Sequence, residues 1–401
     1  MSTTAERMRA WTGPAILAFG FRPFFLGAGV WAIGMMGLWL VMLSGATPLR
    51  TAFDPVSWHA HEFLFGYLSA VVAGFLLTAV PNWTGRLPIV GWPLGGLFAL
   101  WVLGRVAVGM SLVLPPFVVA VADLAMPAAL GLVLGREIVA GKNWRNLVVL
   151  ALLSVFALAN GLFHWEAAHG RYAAQGYGLR LGLAAGLMMI AVIGGRVVPS
   201  FTRNWLVRRA PGRLPTPPMQ TFDKAALIVL LVALGLWVAV PQAALTGAAL
   251  GVAGMVHLIR LGRWAGHRTL DEPLVTVLHV GYAFLPLGAL ALSVESLVPG
   301  TFGGAAAQHL WMAGAIGLMT LAVMTRATLG HTGQALTAGP GTVAIYAALV
   351  VSVLARVAAG CWPATAPAMQ TLAGLGWIAA FGGFALLYGP RLLRLPPGKR
   401  L

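Results

Sequence analysis

The feature that most constrains the fold is the stretch from Trp58 to Arg86, WHAHEFLFGYLSAVVAGFLLTAVPNWTGR. Its head carries two histidines and a glutamate, and a long, nearly uncharged apolar run follows. A run of this length predicts a helix that crosses a lipid bilayer, because crossing takes roughly 20 apolar residues. His59, His61 and Glu62 are costly at the mouth of such a helix unless a neighbour or a bound group satisfies them. The stretch therefore predicts a binding site near one end of this helix.

The composition extends this interpretation to the whole chain. Of the 401 residues, 59% are hydrophobic and 9% are charged, whereas soluble domains carry about 25% charged residues. We therefore predict an all-α, polytopic membrane protein embedded in the lipid bilayer. The net charge of +16 is spread over short loops, which is typical of topology signals and argues against a nucleic-acid partner. The single cysteine, Cys361, excludes an intrachain disulfide.

Hydropathy predicts about twelve membrane-spanning helices in a single integral membrane domain, residues 1–401. The longest connection, 199–222, is rich in Pro and Arg and is a candidate boundary between two halves, 1–200 and 223–401. We find no clear internal sequence repeat. The predicted spans are residues 22–44, 57–80, 93–111, 115–135, 146–166, 177–198, 223–240, 242–261, 273–293, 303–326, 340–360 and 365–388.

The basic residues predict the orientation. With an even number of spans both termini lie on one side, and the opposite loops hold little beyond Arg50 and Arg171. The positive-inside rule then places both termini in the cytoplasm. The basic residues on that side are Arg7, Arg9, Arg86, Arg136, Lys142, Arg145, Arg203, Arg208, Arg209, Arg213, Arg260, Arg263, Arg268, Arg391, Arg394, Lys399 and Arg400.

This orientation gives each polar side chain a depth, and one group gathers near the outer face. Neutral imidazole is a common metal ligand and the usual protein ligand of b-type haem. A guanidinium matches a haem propionate in fork geometry. The outer level therefore predicts a metal or haem site, with structural hydrogen bonds between helices as the alternative for each histidine. Its members are His59, His61, His164, His309, Arg105, Arg180 and Arg356.

Two details refine this outer level. His59 and His61 are about 200° apart on a regular helix, so both cannot face one ligand there. Glu62 and Glu166 stand near histidines and are candidates for acceptors that fix an imidazole tautomer, or for proton carriers. A second polar group lies toward the cytoplasm: His257, His267, His279, His331, Arg22, Arg86, Arg196, Arg203 and Arg326.

Several segments resemble the NnrS family, bacterial inner-membrane proteins linked to nitric oxide stress and denitrification and described as containing haem and copper. The resemblance implies haem b and copper as cofactors, and nitric oxide or a nitrosylated product as the small-molecule substrate. It leaves redox turnover, as an oxidoreductase, and protective binding both open. The segments are GFRPFFLGAG (20–29), WHAHEFLFGY and AGFLLTAVPNWTGR (58–86), NGLFHW (160–165), IGGRVVPSFTRNW (194–205), LHVGYAFLPLG (278–288) and HLWMAGAIGLMTLAVMTRATLGHTG (309–333).

The chain is also similar to the catalytic subunits of haem–copper oxidases and nitric oxide reductases, which carry haem-ligating histidines at the outer ends of spans two and ten. His61 and His309 stand at those positions, so the similarity implies that they ligate haem b. The usual copper ligands are missing, because span ten has Gln308-His309 rather than His-x-His and spans six and seven contain no histidine. The first candidates for a copper or second metal site are then His59 and His164, and the candidate propionate partners are Arg105, Arg180 and Arg356.

Two other classes of protein stay open at this point. A transporter also has twelve spans and a long central loop, although the chain shows no repeat and a carrier has little use for four histidines at one level. The other alternative is an electron-transfer protein that takes electrons from quinol or another donor. It would carry a second haem toward the cytoplasm, held by His279 and His331.

Overall fold

The computed structural model describes residues 11–46, 49–86, 88–209, 212 and 214–394, and the secondary structure of these residues is helical, without a strand. Twelve helices among them are long and apolar enough to cross a membrane. This confirms the predicted fold class: the chain is a multi-pass membrane protein in contact with the bilayer. The helices are α1 Phe21–Leu43, α2 Pro55–Thr84, α3 Trp92–Gly109, α4 Pro116–Ala140, α5 Trp144–Ala168, α6 Tyr177–Arg209, α7 Thr221–Ala239, α8 Ala244–Gly262, α9 Pro273–Leu297, α10 Gly304–His331, α11 Pro340–Cys361 and α12 Pro363–Leu393.

The orientation of the helices and the grouping of residues 1–401 into one membrane domain, with halves 1–200 and 223–401, stay predictions. Some of the basic residues on which the orientation rests lie outside the described residues; these are Arg7, Arg9, Arg213, Lys399 and Arg400.

Helix α2 shows how the sequence starts and stops a spanning element. Asp54 is its N-cap, and the carboxylate oxygen Oδ1 accepts from the backbone N–H groups of Val56 at 3.0 Å and Ser57 at 2.9 Å. Pro55 occupies the first turn, where its missing N–H is not needed. Gly85, at φ 68°, ends the helix in the left-handed region that glycine adopts without strain. In the loop that precedes α2, the ring centroid of Phe53 lies 5.4 Å from that of His61.

Three of the spanning helices contain a π-helical segment, at Glu62–Tyr67 in α2, Ile190–Gly194 in α6 and Leu310–Leu318 in α10. Such segments are rare and frequently lie at functional sites. They change the backbone hydrogen bonding, and two of them offer a carbonyl to a side chain of another helix. The indole N–H of Trp101 donates to the Gly66 carbonyl at 2.9 Å, and Arg260 donates to the Ala191 carbonyl at 3.0 Å.

The described residues form two compact units, of which the first takes its residues from Met1–Gly182, Ala327–Ala335 and Phe384–Leu401. Within it, Arg22 is 2% exposed and caps the end of α12 by donating to the carbonyls of Arg391 at 3.2 Å, Leu392 at 2.8 Å and Arg394 at 3.0 Å. A cation at the C-terminus of a helix satisfies carbonyls that have no partner inside the helix. In this structure Arg22, placed by the sequence in the inner polar group, therefore closes a helix end.

The second unit, Leu183–Arg326 and Leu336–Gly383, holds a fully buried polar network. Arg260 Nε donates to Asp223 Oδ1 at 2.8 Å, and Arg260 Nη1 donates to the Tyr282 hydroxyl at 2.8 Å. His257 Nε2 lies 3.0 Å from the carbonyl of Ala226 and must donate to it, so His257 Nδ1 accepts from the Tyr282 hydroxyl at 3.0 Å. The network pairs one carboxylate with one guanidinium, which allows both to be buried.

We expect Asp223→Asn to destabilise the protein, because it leaves the Arg260 guanidinium buried without its counter-ion. Removing one partner of a buried pair costs about 3–5 kcal/mol. Thermal unfolding of the detergent-solubilised protein measures the effect. Arg136→Gln is the matched control, because the side chain of Arg136 is 67% exposed and should leave the unfolding temperature unchanged. An Asp223→Asn protein that unfolds at the wild-type temperature would contradict the assignment.

Candidate functional site

A cluster of polar side chains lies inside the first unit, where α2 and α4 begin and α3 and α5 end. His61 follows the first turn of α2, Asp123 is near the start of α4, and His164 is near the end of α5. Arg105, near the end of α3, contacts the same group. These helix ends adjoin the loops that the sequence predicts on the outer side of the membrane.

Three potential metal ligands meet at the centre of this cluster. His61 Nε2 lies 3.1 Å from Asp123 Oδ2, and His164 Nε2 lies 3.0 Å from the same oxygen. All three ligand atoms lie within 4.8 Å of one another. The exposed fractions are 0% for His61, 5% for Asp123 and 6% for His164. Two imidazoles and a carboxylate in one buried place form a donor set that suits copper, zinc or iron. We call these three residues the His–Asp–His cluster.

A buried ion pair supports the cluster from the side. Arg105 Nη1 lies 2.8 Å from each carboxylate oxygen of Glu62, and Arg105 Nη2 donates to Asp123 Oδ1. The indole N–H of Trp31 donates to Glu62 Oε2 at 2.9 Å. With both acids ionised and the histidines neutral, the group carries two negative charges and one positive charge. One further positive charge would balance it.

Glu62 also fixes the tautomer of His61. His61 Nδ1 lies 3.0 Å from Glu62 Oε1, so this nitrogen donates and Nε2 of the neutral ring carries the lone pair. Asn160 Nδ2 donates to Asp123 Oδ2 at 2.8 Å, which turns the Asn160 oxygen toward His61 Nε2 at 3.1 Å. That lone pair therefore faces two oxygens and needs a cation or a proton between them. The arrangement fits a metal ion held by the His–Asp–His cluster.

Aromatic rings enclose the imidazole of His61. The ring centroids of Phe53, Phe65 and Phe163 lie 5.4 Å, 5.5 Å and 5.3 Å from its own. They keep water away from the cluster and hold the ring in place. The ligand atoms of all three residues are close enough together to hold one ion. A haem bound through His61 Nε2 would require Asp123 and Asn160 to move from that nitrogen, so the described geometry fits a haem at His61 less well than it fits an ion.

Glycines allow the ion pair to form between closely packed helices. A Cβ atom on Gly66 would lie 2.7 Å from Arg105 Nη1 and 2.8 Å from Glu62 Oε2. A Cβ atom on Gly104 would lie 2.8 Å from Asp123 Oδ1. All three distances are shorter than real Cβ contacts allow, so a side chain at either position would displace the charged groups.

The other outer-level histidines are in different surroundings. The ring of His59 stacks on Trp39 with centroids 4.3 Å apart and lies 4.7 Å from Phe63, and its nitrogens are not part of the His–Asp–His cluster. His309 is half-buried in the second unit, where its Nδ1 donates to the carbonyl of Ala305 at 2.6 Å. The roles of His59 and His309 as metal or haem ligands stay predictions.

The remaining predicted cofactor residues are spread over both units. Arg180 donates to the Gln175 carbonyl at 2.5 Å and lies over the ring of Tyr177 at 4.8 Å. Arg356 is half-buried in α11. In the second unit His279 Nε2 contacts the Thr202 hydroxyl at 2.7 Å, and in the first unit the ring of His331 lies 5.3 Å from that of Phe21. Their roles toward a propionate or a second haem stay predictions.

Asp123 is the member of the cluster that sequence reasoning missed. It stands in the apolar run VVAVADLAMPAAL of α4, with no motif around it. An ionisable residue within a spanning segment is by itself a reason to suspect a functional site. That rule, applied to each predicted span, would have selected Asp123. Glu166 was considered at the sequence level, and its carboxylate accepts from the backbone N–H groups of Tyr177 at 2.7 Å and Gly178 at 3.0 Å, which caps α6.

The fold and the site together define a multi-pass helical membrane protein with a buried histidine–carboxylate cluster near one end of its spanning helices. The sequence matches the family described as NnrS protein over residues 15–395. Because the match covers nearly the whole chain, the protein belongs to the NnrS family. No curated protein matches the sequence.

We expect Gly66→Ala to destabilise the protein and to disturb the Glu62–Arg105 pair, because the new methyl group meets both charged groups. The expected result is a lower unfolding temperature than that of Gly34→Ala. Gly34 is the matched control on α1, since a Cβ atom there has nothing within 4 Å. Alanine at an open helical position normally stabilises by about 0.5–1 kcal/mol. Equal unfolding temperatures for the two variants would refute the close packing at Gly66.

Proposed function

We propose that the protein acts in the bacterial response to nitric oxide as a metal-containing protein of the cytoplasmic membrane, with a copper ion held by the His–Asp–His cluster. The observation that carries this proposal is the convergence of His61 Nε2, His164 Nε2 and Asp123 Oδ2 within 4.8 Å. The resemblance to NnrS proteins implies the nitric oxide response as the biological context and copper as the metal. The positive-inside rule places the cluster near the periplasmic face, with both termini in the cytoplasm.

The residues around the cluster have distinct tasks in this proposal. His61 and His164 would each offer Nε2 as a ligand atom, and Asp123 would contribute negative charge through Oδ2. Glu62 keeps the proton of His61 on Nδ1, and Arg105 holds Asp123 Oδ1 in place. A copper ion held by these three residues would supply a binding position for nitric oxide or a nitrosylated product, in surroundings that are buried from water.

Haem b is the alternative cofactor at His61, and His61 and His309 are the residues that would hold it. Arg105, Arg180 and Arg356 are the candidate propionate partners, of which Arg105 already pairs with Glu62 and Asp123. An ion in the His–Asp–His cluster and a haem iron would compete for the same nitrogen of His61. Metal analysis and haem spectroscopy of the same preparations therefore show whether His61 binds an ion of the cluster or a haem iron.

We expect Asp123→Asn and His164→Ala to lose bound copper, because each removes one of three ligands. The copper content of purified protein, measured by mass spectrometry after dialysis, should fall at least about tenfold, since even outer-shell changes cost 10–100-fold in affinity. His169→Ala is the matched control, because His169 is exposed and bonds only to the Trp165 carbonyl among its described partners. Copper at the wild-type level in both cluster variants, with a normal elution profile, would exclude the cluster as the metal site.

If haem b is bound as the oxidase resemblance implies, the purified protein shows a Soret band that is lost in His61→Ala and in His309→Ala. The absorption spectrum before and after addition of nitric oxide is the measurement, and His267→Ala is the control, because His267 is exposed on a short 3-10 helix between α8 and α9. Full haem with unchanged spectra in both variants would make these ligand assignments wrong. A protein without iron or copper would favour the transporter, and two haems per chain would favour the quinol-linked protein with His279 and His331.

A further inference from the structure

A cavity of about 460 Å³ lies in the second unit, at helix ends rather than in the apolar middle of the bundle. Arg203, in the last part of α6, and Arg263, which directly follows α8, contribute its charged walls. The segment 214–217 and Ala265 complete the lining. Because Arg203 is in the last part of α6 and Arg263 follows the end of α8, the cavity lies at the predicted boundary between bilayer and water.

The charge of the lining selects a negatively charged ligand. Two guanidinium groups and no carboxylate line the cavity among the described residues. Asp223 pairs with Arg260, and Glu272 Oε1 accepts from the backbone N–H groups of Leu274 and Ala338 at 3.1 Å each. The guanidinium fork matches the oxygens of a phosphate group better than a point charge does.

Both arginines are held in position without a ligand. Arg203 Nη1 donates to the carbonyl of Pro215, and the guanidinium of Arg263 lies 4.6 Å from the ring centroid of Phe222. Arg203 and Arg263 are half-buried rather than extended into water. Binding then orders few further side-chain torsions, which lowers the entropic cost of binding an anion.

The rest of the lining indicates what carries the phosphate. Leu214, Pro215, Pro217 and Ala265 present apolar surface, and Thr216 adds a hydroxyl group. A cavity of about 460 Å³ is much larger than a bare phosphate ion needs. The lining combines cationic and apolar surface, and it lies at the membrane boundary. These properties suit the phosphate and glycerol parts of a phospholipid. Basic pockets between spanning helices on the cytoplasmic side bind such headgroups.

We propose that this cavity is a binding site for the phosphate headgroup of an anionic phospholipid, with Arg203 and Arg263 as its two phosphate-binding residues. The site is separate from the His–Asp–His cluster in its residues and chemistry, and the proposal does not depend on a metal. Without such a ligand, the two arginines would serve only as signals of membrane topology.

The test uses the full-length protein in detergent, with short-chain phosphatidylglycerol as the probe and native mass spectrometry or calorimetry as the measurement. Arg203→Gln/Arg263→Gln should bind the probe about twenty-fivefold more weakly, since each basic residue near a membrane surface contributes about fivefold. Arg208→Gln/Arg209→Gln is the charge-matched control, because both are exposed residues of the same helix outside the cavity lining. The control should stay within about twofold of wild type.

Two further binding measurements distinguish an anionic phospholipid from other phosphate-containing ligands. Phosphatidylcholine should bind more weakly than phosphatidylglycerol, because the lining offers no carboxylate to its choline group. Inorganic phosphate at the same concentration should not displace the lipid. Displacement by inorganic phosphate, equal weakening in the control variant, or wild-type binding by Arg203→Gln/Arg263→Gln would each overturn the proposal.

Discussion

The interaction on which the candidate site depends is the contact of one guanidinium with two carboxylates inside a membrane protein. Arg105 lies between Glu62 and Asp123, and all three are at most 5% exposed. A charge buried away from water is tolerated only when its partner is close and its remaining hydrogen bonds are made. The indole N–H of Trp31 and the amide of Asn160 make two of these bonds. The ion pair in turn fixes the carboxylate that both histidines face.

The irregular backbone of α2 helps to form the contact of Arg105 with the two carboxylates. The π-helical segment starts at Glu62, directly after His61, and ends at Tyr67. It includes Gly66, whose missing side chain gives Arg105 its place and whose carbonyl accepts from Trp101. In lipid a backbone carbonyl must be satisfied within the protein, so the donor from α3 accompanies the irregularity. The second unit repeats the principle with the Ala191 carbonyl and Arg260.

The sequence predicts the elements of this fold better than their contacts. Apolar runs of about 20 residues are local signals, and the spans follow from them. The predicted depth of His61 and His164 in the membrane follows from counting the spans and the basic loops, without any knowledge of how the helices pack. Asp123 was missed because its meaning comes from helices distant in sequence: its partners are on α2, α3 and α5. Arg22 was assigned to the inner polar group, yet only the structure reveals that it caps α12.

The spacing of His59 and His61 shows where local reasoning reaches its limit. On a regular helix the two side chains point about 200° apart, so both histidines cannot bind the same ligand. That argument does not say which histidine turns inward. In the structure His61 faces Asp123 while His59 stacks on Trp39. The choice depends on the surroundings that α1, α4 and α5 offer, and hydropathy contains no information about them.

Charge balance separates the two buried polar networks. In the second unit Asp223 and Arg260 form one carboxylate–guanidinium pair, which is neutral, and His257 has partners on both nitrogens. In the first unit Glu62 and Asp123 share one guanidinium, so neutral histidines leave a net negative charge. An uncompensated charge at such depth is unfavourable, whereas a bound cation between His61, His164 and Asp123 removes it. A cation or a proton between these residues would balance the charge of the first network, whereas the Asp223–Arg260 pair of the second is already neutral.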